Sequence, residues 1–233
     1  MLKRALPLLA LTLSACATAA HADPAATKTG IPLDQPWKQQ LYAYAQQNVV
    51  HSIWGIAHSE RNYQVAMELA RQEGLAVDSD VLFAAAFLHD IGAIEPFRIP
   101  GVEHATRSVQ IMEPLLRSYG KPEAMIAKVR EAILAHMYDA DVAPQIPEAR
   151  VFHDADTLDF LGSIGLVRIV GLTDRHGWAP NLPGGIATLT EWMDELPHDL
   201  VTAAAKRMAG ARIAELRKII ESLDPYTFSG AAL

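Results

Sequence analysis

Apolar side chains recur along this chain with the spacing of α-helices. From residue 37 onward they lie three or four positions apart, and short segments rich in glycine, proline and aspartate separate one apolar stretch from the next. No convincing run alternates between apolar and polar residues in the manner of a half-buried strand. The pattern predicts an all-α fold, a single-domain helical bundle.

Turn residues divide this pattern into helices and loops. Gly74 ends the second helix, and Asp78, Ser79 or Asp80 caps the third. Prolines and glycines predict loops at residues 96–101 and 177–185, and a further loop around Pro144 and Pro147. The predicted helices cover about residues 37–50, 58–73, 102–119 and 122–137, and the third runs from its cap to about residue 90. A long apolar stretch follows over about residues 149–170, and two more helices close the domain, one of them over about residues 203–223.

The first residues have the composition of an export signal. Two basic residues precede an apolar stretch, residues 5–13, which is too short to span a bilayer as a permanent helix. Residues 1–22 are therefore predicted to be a signal peptide. Residues 23–36, rich in Ala, Thr and Pro, are predicted to be a flexible tether, and residues 37–233 to be the functional domain.

Two interpretations of the cleavage site stay open. Leu13-Ser14-Ala15-Cys16 resembles a bacterial lipobox, in which Cys16, the only cysteine, would carry a lipid anchor. Ala20-His21-Ala22 instead resembles the small-x-small site of a secreted protein. We favour the lipobox because it accounts for the position of the cysteine. Under either interpretation the mature protein lies in the periplasm or cell envelope and contains no disulfide, and only the lipid anchor would attach it to a membrane.

The charge of the chain restricts its partners. The formal net charge is -7 at pH 7, and loss of residues 1–15, which contain Lys3 and Arg4 but no acid, would make it -9. An acidic chain without a basic run argues against nucleic acid as a partner. With 233 residues and 50% hydrophobic content, the chain can bury one sizeable core.

The first chemical signal is an aspartate at the end of an apolar helix. Residues 81–88 are almost wholly apolar, and His89 and Asp90 follow them directly. A helix that is apolar on every face belongs in a core, where an unpaired carboxylate costs several kcal/mol. A metal ion is the simplest partner for Asp90. Four other residues in helical segments could complete a metal site, namely His58, His104, His136 and Asp156.

The series His58, His89-Asp90 and Asp156 resembles the signature of the HD-domain superfamily, a metal-dependent phosphohydrolase fold. The segments Phe87-Leu-His-Asp-Ile-Gly92 and Asp154-Ala-Asp-Thr-Leu-Asp159 are typical of that superfamily, and the resemblance covers about residues 58–172. It implies that the second segment contributes Asp156 as the metal ligand. Asp154 and Asp159 would then be neighbours that support the ligands.

Some branches of the superfamily add two histidines, in the order His, His-Asp, His, His, Asp, and hold two metal ions. This chain has that order, with His104 and His136 as the added pair. The resemblance therefore implies two divalent ions, chosen from Mn, Fe, Mg, Co, Ni and Zn, with Asp90 shared between them. Such a centre would keep a positive charge and bind a small anionic substrate, and a metal-activated hydroxide would attack a small phosphate ester or nucleotide.

Asp90 and Arg61 are the predicted catalytic residues. Arg61 lies three positions after His58 and could orient a phosphate, although an ion pair with Glu60 or Asp90 would occupy it equally well. Arg98 and Arg107 are further candidates for the same task, with a solvated surface as the alternative.

Two other functions stay open at this point. Some superfamily members hold two irons in the same pattern and act as oxygenases on small organic substrates, and imidazole with carboxylate suits iron well. A non-catalytic envelope protein in which metals only connect the helices is the third interpretation. Ala93 stands where many nucleotide-cleaving members have lysine, which argues against phosphodiesterase activity on cyclic dinucleotides.

Overall fold

Helices form nearly all the regular structure of residues 25–175 and 177–227, the residues that the computed structural model describes. The all-α prediction is confirmed for this part of the chain, where extended pairing is limited to two isolated bridges. The signal peptide, both cleavage sites and Cys16 lie outside the described residues. No helix of the described part is both long enough and apolar enough to cross a membrane. The helices are α1 (Pro36–Asn48), α2 (Ile56–Glu73), α3 (Ser79–Leu88), α4 (His104–Ser118), α5 (Glu123–Leu134), α6 (Pro147–Leu158), α7 (Gly162–Leu172), α8 (Leu182–Asp199), α9 (Ala203–Glu221) and α10 (Asp224–Thr227).

Helix α3 is the centre of the core. The side chain of Asp78 accepts a hydrogen bond from the Asp80 amide at 3.0 Å and caps the first turn. Every residue from Val81 to Leu88 is buried, and α1, α2, α5 and α6 pack around them. The last turn of α3 therefore delivers His89 and Asp90 to the interior, and a short 3-10 turn, Ile91–Ala93, follows.

The long apolar stretch after the second proline loop forms two helices rather than one. The sequence shows one long apolar stretch over about residues 149–170, and in the structure α6 ends at Leu158 and α7 begins at Gly162. Gly162 has a φ of 76°, a conformation that a residue with a Cβ rarely adopts. The break places Asp159 just beyond the end of α6. The predicted loop over residues 177–185 is also shorter than expected, because α8 begins at Leu182.

The segment predicted as a flexible tether packs against the domain over its described part. Ala26 and Pro32 form a bridge, and Ile31 and Leu33 are each 1% exposed within the main hydrophobic core. The Thr29 amide also donates to Glu60 Oε2 at 3.0 Å. The tether expected over residues 23–36 is thus wrong from residue 25 onward, because burial of these two apolar side chains fixes the segment.

Truncation of Leu33 tests whether this segment belongs to the folded domain. We expect Leu33→Ala to lower the free energy of unfolding by about 2–4 kcal/mol, since it removes buried methyl groups and leaves a cavity. Urea denaturation measures the change. Leu182→Ala, at a position 46% exposed, is the matched control and should cost less than about 0.5 kcal/mol. Equal losses in the two variants would show that Leu33 does not pack against the core.

Candidate metal centre

The six predicted ligand residues converge on one point, although they come from five separate parts of the bundle. Each lies at or near the end of a helix, so that backbone and side chains meet around a shared space. His58, His89, His136 and Asp156 are at most 3% exposed. The side chains of Asp90 and His104 are 12% and 28% exposed. The cluster is therefore buried on one side and accessible on the other.

One group of donor atoms surrounds one oxygen of Asp90. Asp90 Oδ2 lies 3.5 Å from His58 Nε2 and 3.1 Å from His89 Nε2. Asp156 Oδ1 lies 3.1 Å from His58 Nε2 and 3.9 Å from His89 Nε2. The ligand atoms of His58, His89 and Asp90 lie within 4.8 Å of one another, with Asp156 Oδ1 beside them, and such nitrogens and oxygens suit one divalent ion.

A second group surrounds the other oxygen of the same carboxylate. Asp90 Oδ1 lies 3.6 Å from His104 Nε2 and 3.8 Å from His136 Nε2. The ligand atoms of these three residues lie within 4.8 Å of one another. Asp90 therefore faces one donor group with each oxygen, as a carboxylate shared between two cations would.

The hydrogen-bond partner of each Nδ1 atom fixes the tautomer of the four histidines. The Nδ1 atoms of His58 and His104 lie 2.7 Å from Asp159 Oδ2 and from Glu103 Oε1. His89 Nδ1 lies 3.0 Å from the Ala86 carbonyl oxygen, and His136 Nδ1 lies 2.6 Å from that of Ile133. Because these partners only accept, each Nδ1 donates its hydrogen. Each Nε2 then has its lone pair free to bind a cation.

The spacing of the Nε2 atoms tests whether a metal fits. His58 Nε2 and His89 Nε2 are 3.2 Å apart, and so are His104 Nε2 and His136 Nε2. With hydrogen on Nδ1 in every ring, each pair would place two lone pairs face to face. A proton or a metal cation near each pair removes that repulsion. The donor set therefore fits divalent ions.

Electrostatics point in the same direction. Burial and the Arg168 charge lower the pKa of His58, but hydrogen bonds with Asp156, Asp159 and Asp90 outweigh them and raise it to about 10. Burial opposes ionisation of Asp90, yet the charge of His89 and hydrogen bonds from His58 and His89 hold the pKa of Asp90 well below its usual range. Burial, aided by His89, lowers the pKa of His136 to about 4. The carboxylates thus stabilise positive charge here, and a metal ion would displace the proton from His58.

Two supporting residues hold the first donor group in place. Asp159 accepts from His58 Nδ1 and was expected as such a neighbour. Asn62 was not predicted: its Nδ2 donates to Asp156 Oδ1 at 2.8 Å and lies 3.2 Å from His58 Nε2. The available signal was its position four residues after His58, which puts both side chains on one face of α2. Asp154 lies apart, where it accepts from the amides of Val201 and Thr202.

Substitution of Asp159 should weaken metal binding without removing a ligand. We expect Asp159→Asn to lower metal affinity about 10- to 100-fold, because the neutral amide no longer fixes the His58 tautomer as strongly. Competition with a metal chelator measures the affinity. Asp154→Asn is the matched control from the same segment and should lower stability with unchanged metal affinity. An unchanged affinity in Asp159→Asn would contradict the supporting role.

Arg61 does not have the predicted place beside a substrate. Its Nε and Nη2 donate to Asp159 Oδ1 and Oδ2 at 2.8 and 2.7 Å, so neither expected partner, Glu60 or Asp90, holds it. It lines a neighbouring cavity rather than the one above the metal ligands. The carboxylate that follows α6 holds the Nε–Nη2 edge of this guanidinium, so the structure gives no support to the predicted catalytic role of Arg61. Arg107 is also engaged, with Nε donating to the Phe97 carbonyl at 2.8 Å.

A cavity of about 710 Å³ opens above the donor atoms. His58, Asp90, His104 and Asp156 form part of its wall. The remaining wall combines aromatic side chains with two arginines that, within the described part of the chain, form no hydrogen bond or ion pair with the six predicted metal ligands. These residues include Trp54, Phe160, Trp178, Arg98 and Arg168. A small molecule with an anionic group and an apolar or aromatic part would find partners for both.

Fold and donor set together define an all-helical domain with a candidate divalent-metal centre at its helix ends. The model of the HD domain family matches residues 55–161, which contain every predicted metal ligand. This part of the chain is an HD domain, as the resemblance of its motifs implied. A search of the curated proteins gave no match.

Solved structures share this fold over most of the chain. A Lactobacillus plantarum protein is 21% identical with a TM-score of 0.64, covering 82% of this chain and 97% of its own. An HD-superfamily hydrolase from Bacillus thuringiensis is 22% identical with a TM-score of 0.60, covering 82% and 95%. Bacillus subtilis YpgQ, crystallised in complex with ADP, is 19% identical with a TM-score of 0.61, covering 81% and 94%. The similarity therefore extends beyond the matched domain into the C-terminal helices.

Proposed function

We propose that this protein is a metal-dependent phosphohydrolase that holds two divalent ions and cleaves a small phosphate ester, with nucleotides as the substrate class. The observation that carries the proposal is the position of Asp90. Its two oxygens face two separate donor groups, and each group contributes residues to the wall of one cavity. Phosphate ester hydrolysis needs positive charge on both sides of the phosphoryl group, and a shared carboxylate is a means of holding two cations side by side.

Some residues of the chain would hold the ions at this centre, and others orient those ligands. When bound, divalent ions would act as Lewis acids and lower the pKa of bound water to about 7. His58, His89 and Asp156 would hold one ion and His104 and His136 the other, with Asp90 between them. Asp159 and Glu103 keep His58 and His104 in the tautomer that offers Nε2, and Asn62 holds Asp156 in position. The two carboxylates leave two divalent ions with excess positive charge, which favours an anionic substrate.

The shape of the cavity supports a nucleotide. Its volume falls within the range of about 300–1,000 Å³ that small-molecule sites commonly have. Trp54, Phe160 and Trp178 give the wall an aromatic surface that a base can contact. YpgQ, which has the same fold, was crystallised with ADP. Together these observations favour a substrate with an aromatic ring and one or more phosphates.

The test combines metal content with phosphate release. The full chain is purified without oxygen, its metals are quantified, and phosphate release is measured with p-nitrophenyl phosphate and with nucleoside mono-, di- and triphosphates. We expect release that depends on the added metal and that Asp141→Ala, an exposed aspartate outside both donor groups, leaves unchanged. Absence of release with every substrate and every metal of the set would refute the proposal.

The same preparation separates the two alternative functions. Bound iron with oxygen consumption and no phosphate release would favour a di-iron oxygenase. Firmly held metals with neither activity, and a loss of thermal stability on chelation, would favour a non-catalytic protein connected by its metals. Each of these two outcomes would refute the phosphohydrolase proposal and support one specific alternative function.

We also propose that the protein acts in the cell envelope. The basic residues and apolar stretch before Leu13 support export, and the position of Cys16 supports a lipid anchor. The intact mass of the protein recovered from bacterial cells tests both points. A diacylated chain that begins at Cys16 is the expected species. A chain that begins at Asp23 would support export without an anchor, and an intact chain from Met1 would contradict export.

A further inference from the structure

Arg168 is a buried cation in the cavity wall whose Nε has no hydrogen-bond partner among the described residues. It lies on α7 and is 4% exposed, yet it lines the cavity above the metal ligands. Its Nη1 donates to Asp159 Oδ2 at 2.9 Å. Its Nε is buried and has no hydrogen-bond partner among residues 25–175 and 177–227. A guanidinium carries five N–H donors, so this side chain can still bind an anion.

Arg168 shares its carboxylate partner, Asp159, with Arg61 and His58. Asp159 Oδ2 lies 2.7 Å from both His58 Nδ1 and Arg61 Nη2 and 2.9 Å from Arg168 Nη1. One carboxylate therefore serves two guanidinium groups as well as the imidazole. A buried cation is costly unless an anion pairs with it, and half of one carboxylate is a poor match for Arg168. An anionic group in the cavity would supply the missing charge and accept the unused hydrogen bonds.

We propose that Arg168 binds a phosphate group of the substrate in this cavity, a role that rests on the proposed phosphohydrolase function and assigns its phosphate-anchoring residue. A guanidinium matches two phosphate oxygens with two parallel N–H donors. Its carbon lies 4.3 Å from the centre of the Phe160 ring, which limits the orientations of the plane. Arg168 is also separated from the metal ligand His58 by a single carboxylate. It would hold the phosphate next to the ions.

The other candidate cations are less suited to this role. Arg61 donates hydrogen bonds from Nε and Nη2 to the two oxygens of Asp159, and it lines a different cavity. Arg98 lines the correct cavity but is exposed on the loop between α3 and α4. Water screens an exposed charge, and fixing its long side chain costs conformational entropy. Arg168 is already held in place by Asp159 and Phe160.

Calorimetric titration with inorganic phosphate tests the assignment without requiring turnover. The full chain is titrated after loading with Mn²⁺ and again after chelation. We expect Arg168→Gln to weaken phosphate binding about 10- to 100-fold in the loaded protein, because it loses a charged hydrogen-bonding partner. Arg168→Lys keeps the charge but not the paired donors and should lie between Arg168→Gln and wild type. Arg61→Gln, which loses contacts with the same carboxylate, should bind phosphate within a factor of about three of wild type.

Metal content and circular dichroism of every variant establish that the comparison is valid. If Arg168→Gln fails to fold or loses its metals, the folded Arg168→Lys variant decides the outcome. Wild-type phosphate affinity in either folded, metal-loaded Arg168 variant overturns the inference, as does an equal loss in Arg61→Gln or the absence of phosphate binding by the wild type. Phosphate bound through Arg168 by a protein that hydrolyses no ester would refute the proposed function and leave this inference standing.

Discussion

Replacement of Asp90 by alanine should remove both metal ions at once and reduce phosphate release by at least about 1,000-fold. Asp90 is the only residue among the six whose two donor atoms face different groups, at 3.1–3.5 Å on one side and 3.6–3.8 Å on the other. Loss of a supporting residue costs about 10- to 100-fold in metal affinity, and loss of a shared ligand should cost more than that for each ion. Metal stoichiometry after dialysis measures the first effect, and initial rates measure the second.

Two further variants show whether the shared position is the cause. Asp156→Ala removes a carboxylate from one donor group only, so we expect the ion beside His104 and His136 to remain. Asp141→Ala changes the same side chain on the surface and should keep both ions and full activity. One ion retained by Asp90→Ala, or full activity in that variant, would contradict the sharing of this carboxylate between two metals.

The order of polar residues in an otherwise apolar helical pattern was sufficient to predict the fold and to bring the six candidate residues together. His89 and Asp90 stand out because residues 81–88 offer them no polar neighbour, and that contrast is visible without coordinates. The resemblance also implied that Asp154 and Asp159 would support the ligands, and Asp159 contacts His58 whereas Asp154 does not. The role of the six residues as metal ligands stays a prediction, while their convergence is a property of the structure.

The parts that the sequence did not predict depend on contacts between distant residues. Arg61 lies on the expected turn of α2, but Asp159, 98 residues later, determines where its guanidinium points. Arg168 was visible only as an arginine within an apolar helix, and its place in the cavity wall required the bundle to be closed. Ile31 and Leu33 gave no helical pattern, since only two apolar side chains fix that segment to the core.

Gly92→Ala should separate the two donor groups and leave a single metal ion bound. A Cβ at residue 92 would overlap the carbonyl oxygen of His104 and lie 2.7 Å from the Ser108 amide nitrogen and 2.8 Å from Arg107 Cβ. The Gly92 amide also donates to Ser108 Oγ at 2.9 Å, so the 3-10 turn and the first turns of α4 are in direct contact. Backbone atoms of a helix cannot move aside as a flexible side chain can. The turn must therefore move away from α4, at a cost of about 1–3 kcal/mol or more.

That movement acts on the metal centre unequally. His104 is the first residue of α4, and Asp90 directly precedes the turn, so the 3.6 Å separation of His104 Nε2 and Asp90 Oδ1 should increase. His58, His89 and Asp156 do not belong to either element. We expect metal content to fall from two ions to one, with phosphate release lowered at least about 100-fold because charge stabilisation from the second ion is lost. Gly210→Ala on the exposed part of α9, where no atom lies within 4 Å of the new Cβ, is the matched control and should raise stability by about 0.5–1 kcal/mol with both ions kept. Two ions and unchanged stability in Gly92→Ala would show that the close approach of the turn to α4 does not position His104.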